Sequence, residues 1–427
     1  MTWLWIIPLM LLAFALNMRL YLGILLAVLC YFTFFSFTPP EIAIQRFIAP
    51  ALNTSLLAIP FFVMLGTLMA HSGVAERIID VALLMVGRIR GGLALTNILV
   101  SSLLGGLSAS NLADSAMLTR MMVPEMERHG YDRGFSAAVT AAGSLITPII
   151  PPGIALIIYA LIADVSVASM FMAGIIPGLL CAFLLMVTAY LVSVKRGYLP
   201  KSMKRPTPRE AGITLLRSWP AFLLIIVIIG GIRLGIFTPT EAGAVAVLAI
   251  ILIGTLLHRT MTFGDILNSV YSAGKSTASV LLIIMASGAL GWIFSNEKAG
   301  LAFAEMITHF TTNKYLFLIT LNIALLFFGM LIEGTALMII LVPLLKPTLM
   351  SMGIDPVHFG IIMILNMSIG TLTPPVGTVM LVVSQLANVD VMRFTKAAVP
   401  FYIALFIALG LVIFIPEISL LLPHMSQ

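Results

Sequence analysis

A chain of 427 residues that is 60% hydrophobic, 9% charged and of mean hydropathy +1.13 is not a soluble domain, in which about 25% of residues are charged. It reads as an all-α, polytopic membrane protein. The net charge of +6 would suit a nucleic-acid partner, but the cations lie where membrane topology places them, so no nucleic acid is expected. Cys30 and Cys181 fall within apolar runs and read as small core residues rather than a disulfide or metal pair. The opening Met1-Thr2-Trp3-Leu4-Trp5 carries no cation before Arg19, so a retained first helix is expected rather than a cleaved leader.

Apolar runs of about 17–25 residues mark crossings. In the first half they lie near 3–17, 20–37, 53–70, 135–162 and 172–194. A polar segment over 195–217 follows, carrying Lys195, Arg196, Lys201, Lys204, Arg205, Arg209 and Arg217. In the second half crossings lie near 218–236, 240–257, 276–295, 359–386 and 398–415. Two further apolar stretches, 93–124 and 315–349, are interrupted by Gly-, Ser- or Glu-containing turns and read as re-entrant hairpins. A short amphipathic piece precedes each, at 74–88 and 297–312, suited to lying flat in the interface with membrane lipid.

Charge sets the orientation. With 195–217 in the cytoplasm, that side also collects Arg19, Arg77, Arg88, Arg90, Arg120, Arg128, Arg133, Arg259, Lys275, Arg393 and Lys396. The outside keeps Arg46, Arg233, Lys298, Lys314 and Lys346, a division of 18 to 5 among 23 cations, with both termini outside. Five crossings per half is odd, so the halves are expected to be inverted repeats. Landmarks recur at one constant offset: Gly106 with Gly329, Gly130-Tyr131-Asp132 with Gly353-Ile354-Asp355, and Pro177 with Pro400.

The most informative repeat is Gly143-Ser-Leu-Ile-Thr147-Pro148-Ile-Ile-Pro151-Pro152-Gly153, which returns as Asn366-Met-Ser-Ile-Gly370-Thr371-Leu-Thr373-Pro374-Pro375-Val-Gly377. Proline removes a backbone donor and clashes with the preceding turn, so each helix opens here. Opened backbone at membrane depth is tolerated where protein buries it or it lines a cavity, and matched breaks in two halves mark a transporter's binding site. The alternative is a pair of simple kinks. Asp114 and Glu333, at the hairpin turns, are the acids expected at membrane depth, where a carboxylate costs about 2.5–3.5 kcal/mol and is usually functional. Asp114 could instead pair with Arg120 or cap a half-helix. Gly274-Lys275-Ser276 has Ser269 where a phosphate-binding loop needs glycine, so no ATP site is expected. Gly106-Leu-Ser108-Ala-Ser110 would suit a serine nucleophile, but His71, His129, His258, His309, His358 and His424 all fall at expected helix ends or loops, so no base is expected and the chain is not expected to be an enzyme.

These residues resemble a family. The run 105–114, Pro124, Gly130-Tyr131 and Pro148-Ile-Ile-Pro-Pro152, with Gly329-Met-x-x-Glu333, Val342-Pro343, 353–360 and 366–377, resembles the large membrane subunit of TRAP (tripartite ATP-independent periplasmic) transporters over nearly the whole chain. The resemblance implies sodium-coupled uptake of an organic acid, of the sialic-acid or C4-dicarboxylate type, across the bacterial inner membrane. Sialic acid is the substrate it suggests, although the motifs do not encode it. It also implies a separate small four-helix membrane subunit and a periplasmic substrate-binding protein that delivers the anionic small molecule. The implied fold is of the elevator type: scaffold helices over 1–52 and 218–258, transport halves over 53–194 and 259–427, and a cytoplasmic basic linker over 195–217. Sodium roles carry over to Ser108, Ser110, Asn111, Thr147, Pro148, Gly329, Glu333, Gly334, Thr371, Thr373 and Pro374. Substrate roles fall to Asp114, Pro151, Pro152, Thr335, Pro375 and Gly377. Gly153 departs from the family, where many members have serine. A stand-alone carboxylate carrier of the related elevator superfamily and a non-transporting scaffold are the competing readings.

Overall fold

The computed structural model describes residues 5–16, 18–35, 38–39, 41–108, 111–200, 207–311, 313–330 and 334–425, with only the backbone at 11, 15, 106–108, 303 and 307–310. Every regular element among them is helical. The first half runs α1 (Ile6–Ala15), α2 (Leu20–Phe34), α3 (Glu41–Ile48), α4 (Ala58–Met69), α5 (Val74–Val86), α6 (Gly92–Ser108), α7 (Asn111–Arg128), α8 (Arg133–Ser144), α9 (Ile154–Ala163) and α10 (Val167–Arg196). The second runs α11 (Pro208–Arg233), α12 (Pro239–Leu252), α13 (Phe263–Asn296), α14 (Ala299–Phe310), α15 (Lys314–Gly329), α16 (Gly334–Ser351), α17 (Pro356–Leu372), α18 (Thr378–Leu386), α19 (Val391–Phe414) and α20 (Glu417–Met425).

Six of these helices are long and apolar enough to cross a membrane, and the bent pair 41–52 and 54–69 makes a seventh. Shorter apolar helices are α2, α9, α15, α17 and the first part of α6 (Gly92–Gly105). The order of elements recurs at the offset that carries Gly106 to Gly329. The same shift takes 111–128, the span of α7, onto 334–351, the span of α16, and takes Arg133 onto the first residue of α17. Asp132 and Asp355, equivalent by this shift, both cap the helix that follows, Asp132 accepting from the Phe135 N–H and Asp355 from those of Val357 and His358.

Several elements differ from the sequence expectation. The helix expected at 276–295 begins at Phe263, where Thr262 and Asp265 form a reciprocal capping box, and runs 34 residues. Its polar stretch Asn268, Ser269, Ser272 and Ser276 faces a cavity rather than forming a loop. The helix expected from 218 starts at Pro208 behind a second capping box, Thr207 with Glu210, so the basic linker is partly helical. Residues 41–69 bend by 57°, whereas their equivalents in the second half, 264–292, lie within the unbroken α13. Pro50 and an extended Asn53 interrupt the first, and Ala273 and Ser276 stand at their places in the second. The short α20 was not expected.

Two apolar cores hold the molecule. The larger runs through α4 to α12 and α15 to α19, while a smaller one packs α1 and α2 against α13, α14 and part of α16. Trp292 belongs to the smaller, stacked on Phe32 at 5.5 Å, a packing role. Cys181 is buried as expected, while Cys30 is half-buried, and both are free thiols.

Candidate functional site

Each break is braced by the hairpin of its own half. After Ser144 the first helix gives way to turns, a cis Pro151–Pro152 bond and the start of α9. Thr147 is fully buried there, and its hydroxyl donates to Asp114 Oδ2 at 2.7 Å from the first turn of α7. A Cβ on Gly105 would sit 2.9 Å from Thr147 Cα, so this close approach of α6 to the break needs glycine. Gly153 has a similar reason: a Cβ there would stand 2.4 Å from the Pro148 carbonyl oxygen, which the break turns toward it. The family's serine would therefore require this loop to shift.

The second break repeats the construction. α17 ends at Leu372, the Pro374–Pro375 bond is cis, and Gly377, at φ 42°, precedes α18. A Cβ on Gly370 would lie 2.8–3.0 Å from the backbone of Gly329. Gly377 N–H donates across to the Met330 carbonyl at 3.4 Å. Freed carbonyls gather around the break. Those of Thr371 and Thr373 face Gly377, 3.1 and 2.8 Å from where a Cβ would be, and Leu372's accepts from the Tyr402 hydroxyl at 2.8 Å. The Thr371 and Thr373 hydroxyls donate at 2.7 Å to Ser368 O and Ile369 O within the helix. Their protons are thus directed inward, and their oxygen lone pairs remain as acceptors.

A cavity of about 290 Å³ lies between the starts of α7 and α16 and the two breaks. Its wall includes Asn111, Pro148, Thr335, Ser368, Thr371 and Thr378, with Met338 and Met367 supplying apolar surface. Four helices begin at this wall: α7 at Asn111, α16 at Gly334, α18 at Thr378, and α9, whose second residue is Ala155. A helix start presents unpaired N–H groups and roughly +0.5 of a charge. No Lys or Arg stands among the described lining residues. Its helix starts turn positive dipole ends toward the cavity, and its wall offers hydroxyls and an amide for hydrogen bonding.

The sequence of residues 4–418 matches the family model described as the DctM component of the tripartite ATP-independent periplasmic transporter. The chain belongs to the DctM family. Over 383 residues it is 38% identical to the sialic acid TRAP transporter large permease protein SiaM of Vibrio cholerae, covering 90% of this chain and 89% of that one. It is 36% identical to the C4-dicarboxylate TRAP transporter large permease protein DctM of Pseudomonas aeruginosa, covering 87% and 86%. Its fold is similar to that of the YdaH transporter of Alcanivorax borkumensis, whose crystal structure was described as having an unusual topology, with a TM-score of 0.62, 16% identity and coverage of 87% and 86%. This DctM-family chain is thus a multi-pass membrane subunit of a bacterial TRAP transporter.

Within the DctM chain the cavity brings together five residues singled out from sequence: Asn111, Pro148, Gly334, Thr335 and Thr371. Thr373, Pro374 and Gly377 stand in the second break beside it, and Gly329 backs that break from α15. Pro151 and Pro152 are buried away from the cavity wall, and Pro375 is exposed outside it. Asp114 faces a different cavity, of about 540 Å³, between α4, α7 and α13. Ser110 and Glu333 lie outside the described residues, and Ser108 is described by backbone alone. Sequence reasoning missed Ser368 and Thr378. Thr378 had a signal, being the first helical residue after the positive-φ Gly377.

Proposed function

We propose that this DctM-family chain carries an organic anion, of the sialic-acid or C4-dicarboxylate type, across the inner membrane in symport with sodium. The observation that carries the reading is the central cavity: four helix starts converge on it and no described cation does. Backbone dipoles then attract a carboxylate without the full charge that would hold it too tightly to release. The carbonyls of Thr371 and Thr373 converge on Gly377 and, with the hydroxyls of the same residues, offer hard oxygens suited to sodium next to the same cavity. Thr147 and Asp114 form a second such cluster across the pseudo-repeat.

An elevator-type exchange of access is supported by two unequal crevices. The 540 Å³ crevice runs from His71 to Asp114 and Ile154, next to the residues that wall the central cavity. Its counterpart in the second half, of about 640 Å³, meets α16 only from Pro343 onward, nine residues past Gly334, or about 13 Å at 1.5 Å per residue. One side of the site is thus approached and the other is not. In the tripartite assembly a periplasmic binding protein delivers the substrate, and a separate small four-helix subunit supports the scaffold. Both termini face the periplasm in this reading.

The test is uptake by proteoliposomes holding the full transporter with its binding protein. Labelled sialic acid and a C4-dicarboxylate should accumulate only with an inward sodium gradient and irrespective of ATP. Accumulation driven by ATP in sodium-free buffer would end this reading, and dependence on protons alone would reassign the ion.

A further inference from the structure

The two crevices differ in charge as well as depth. The one reaching Asp114 is lined on its α13 wall by Asn268, Ser269, Ser272 and Ser276, with no Lys or Arg among its described lining residues. The other runs between α13, α14, α16 and the end of α9, largely apolar, with Lys298 and Lys346 on its wall. The repeat offset relates them: 63–69 of α4 falls on 286–292 of α13, and each stretch lines its own crevice. By the same shift Lys298 falls on Ala75, which lines the first crevice, and Lys346 falls on the buried Val123. The cations are therefore specific to one side of a repeated architecture.

Among the described residues, the ion pair of Lys346 with Asp164 is exposed and weakly held. Lys346 Nζ stands 4.0 Å from Asp164 Oδ2, but the Asp164 side chain is 95% exposed, so the pair is held loosely in water. Glu297, beside Lys298 in sequence, does not line the crevice, and its carboxylate accepts from the Tyr31 hydroxyl at 2.6 Å. Lys298 is itself exposed, with its backbone in the left-handed region at φ 52°. Both lysines also belong to the five cations assigned to the periplasmic side by charge distribution.

We infer that Lys298 and Lys346 are an electrostatic entry for the anionic substrate at the periplasmic crevice, and that the cytoplasmic crevice lacks them so that the anion leaves freely. The inference rests on the transport reading above. Like charge lining a low-dielectric cleft raises the local concentration of its counter-ion and the rate of entry, and salt screens the effect. The lysines act before the central cavity and hold neither the bound substrate nor the sodium.

The experiment compares the parent transporter with Lys298→Met/Lys346→Met in proteoliposomes, at saturating binding protein and varied salt. At low ionic strength the double variant should need roughly tenfold more substrate for half-maximal uptake. Its maximal rate and sodium half-saturation should match the parent, and the gap should close as salt rises. Lys346→Arg should retain parental uptake. Asp164→Asn separates steering from a structural latch, because it frees Lys346 and should not raise the half-saturating concentration. A rise like that of Lys346→Met would overturn the inference in favour of a latch. It is also overturned if the double variant keeps the parental salt dependence. Loss of binding-protein docking would make the lysines part of a protein contact. A gap that vanishes when anionic phospholipid is left out of the vesicles would make the crevice a lipid site. Failure of the parent to move any organic anion, or labelling of Lys298→Cys only from within, would overturn the underlying reading and this inference with it.

Discussion

At the scale of single residues, the second break separates a hydroxyl that serves a site from one that only satisfies its helix. Thr373 and Thr320 both donate their proton to the carbonyl four residues earlier, at 2.7 and 2.9 Å. Thr320 does so on an exposed face of α15, whereas Thr373 stands at the break, where its own carbonyl and that of Thr371 face Gly377. Replacing either hydroxyl gives up a hydrogen bond worth only about 0.5–1.5 kcal/mol, so both variants should fold. If Thr373 ligates sodium, losing about 1.4 kcal/mol of binding raises the half-saturating sodium concentration about tenfold. We therefore expect Thr373→Val to show this shift in sodium titrations of uptake, and Thr320→Val to behave as the parent. A parental titration for both would make the break a structural kink. Thr378, despite lying past the proline pair, is unsuitable as a neutral control because it lines the central cavity.

At the scale of elements, the breaks work by close packing. Gly370 lets α17 meet the end of α15 backbone to backbone, and an added methyl must push the hairpin away. Gly410, in α19, has nothing within 4 Å of its missing Cβ. Alanine there should gain about 1 kcal/mol of helix propensity at most and leave uptake unchanged. Gly370→Ala should abolish uptake while the protein is still inserted, and equal activity of the two variants would refute the packing argument. A second joint is polar: Asp132, capping α8, pairs with Arg393 at the start of α19 and with Arg196 at the end of α10, the latter at 3.7 Å. Burial opposes ionisation of Asp132, yet the Arg393 hydrogen bond, the Phe135 N–H and the charges of Arg393 and Arg196 hold its carboxyl below the ordinary range. A depressed carboxylate stabilises the fold above its unfolded value and ceases to do so as pH falls through its folded value. Thermal melts of the purified protein should therefore lose stability below about pH 4 in the parent. Asp132→Asn should melt lower at neutral pH and lose less on acidification. Such joints show what was legible in the sequence. The breaks were, because Pro-Pro pairs leave a local mark, and so were the helices on either side of each hairpin, whose turns at 109–110 and 331–333 lie outside the described residues. The polar start of α13 and the bend after α3 were not. Asn268 to Ser276 look like a loop until α4 and α7 are packed opposite, and a bend at Pro50 is visible only beside its straight counterpart. The convergence of four helix starts is a property of packing that no window of sequence contains.

At the scale of the whole molecule, the decisive relation is between the halves. Elements recur at a constant offset from α5 onward, and the two hairpins and two breaks contribute to one cavity. If each half crosses the membrane five times, an odd number, the second half must enter from the opposite side, and the repeats are inverted. The two crevices then open to opposite faces, which makes them alternatives for a single site rather than one pore. The lysine and arginine distribution makes the same demand, because the 18-to-5 division holds only with 195–217 in the cytoplasm and the C-terminus outside. Both can be checked in a cysteine-free background, replacing the buried Cys181 and the half-buried Cys30. Met203→Cys, in the basic linker, should label with an impermeant thiol reagent only when the cytoplasmic face is open. His424→Cys, near the end of α20, should label in intact spheroplasts. Five crossings between the linker and the C-terminus put the two positions on opposite faces, and an even number puts them on the same face. Labelling of both from outside would therefore remove the inversion, and with it the argument that the 540 and 640 Å³ crevices are the two doors of one site.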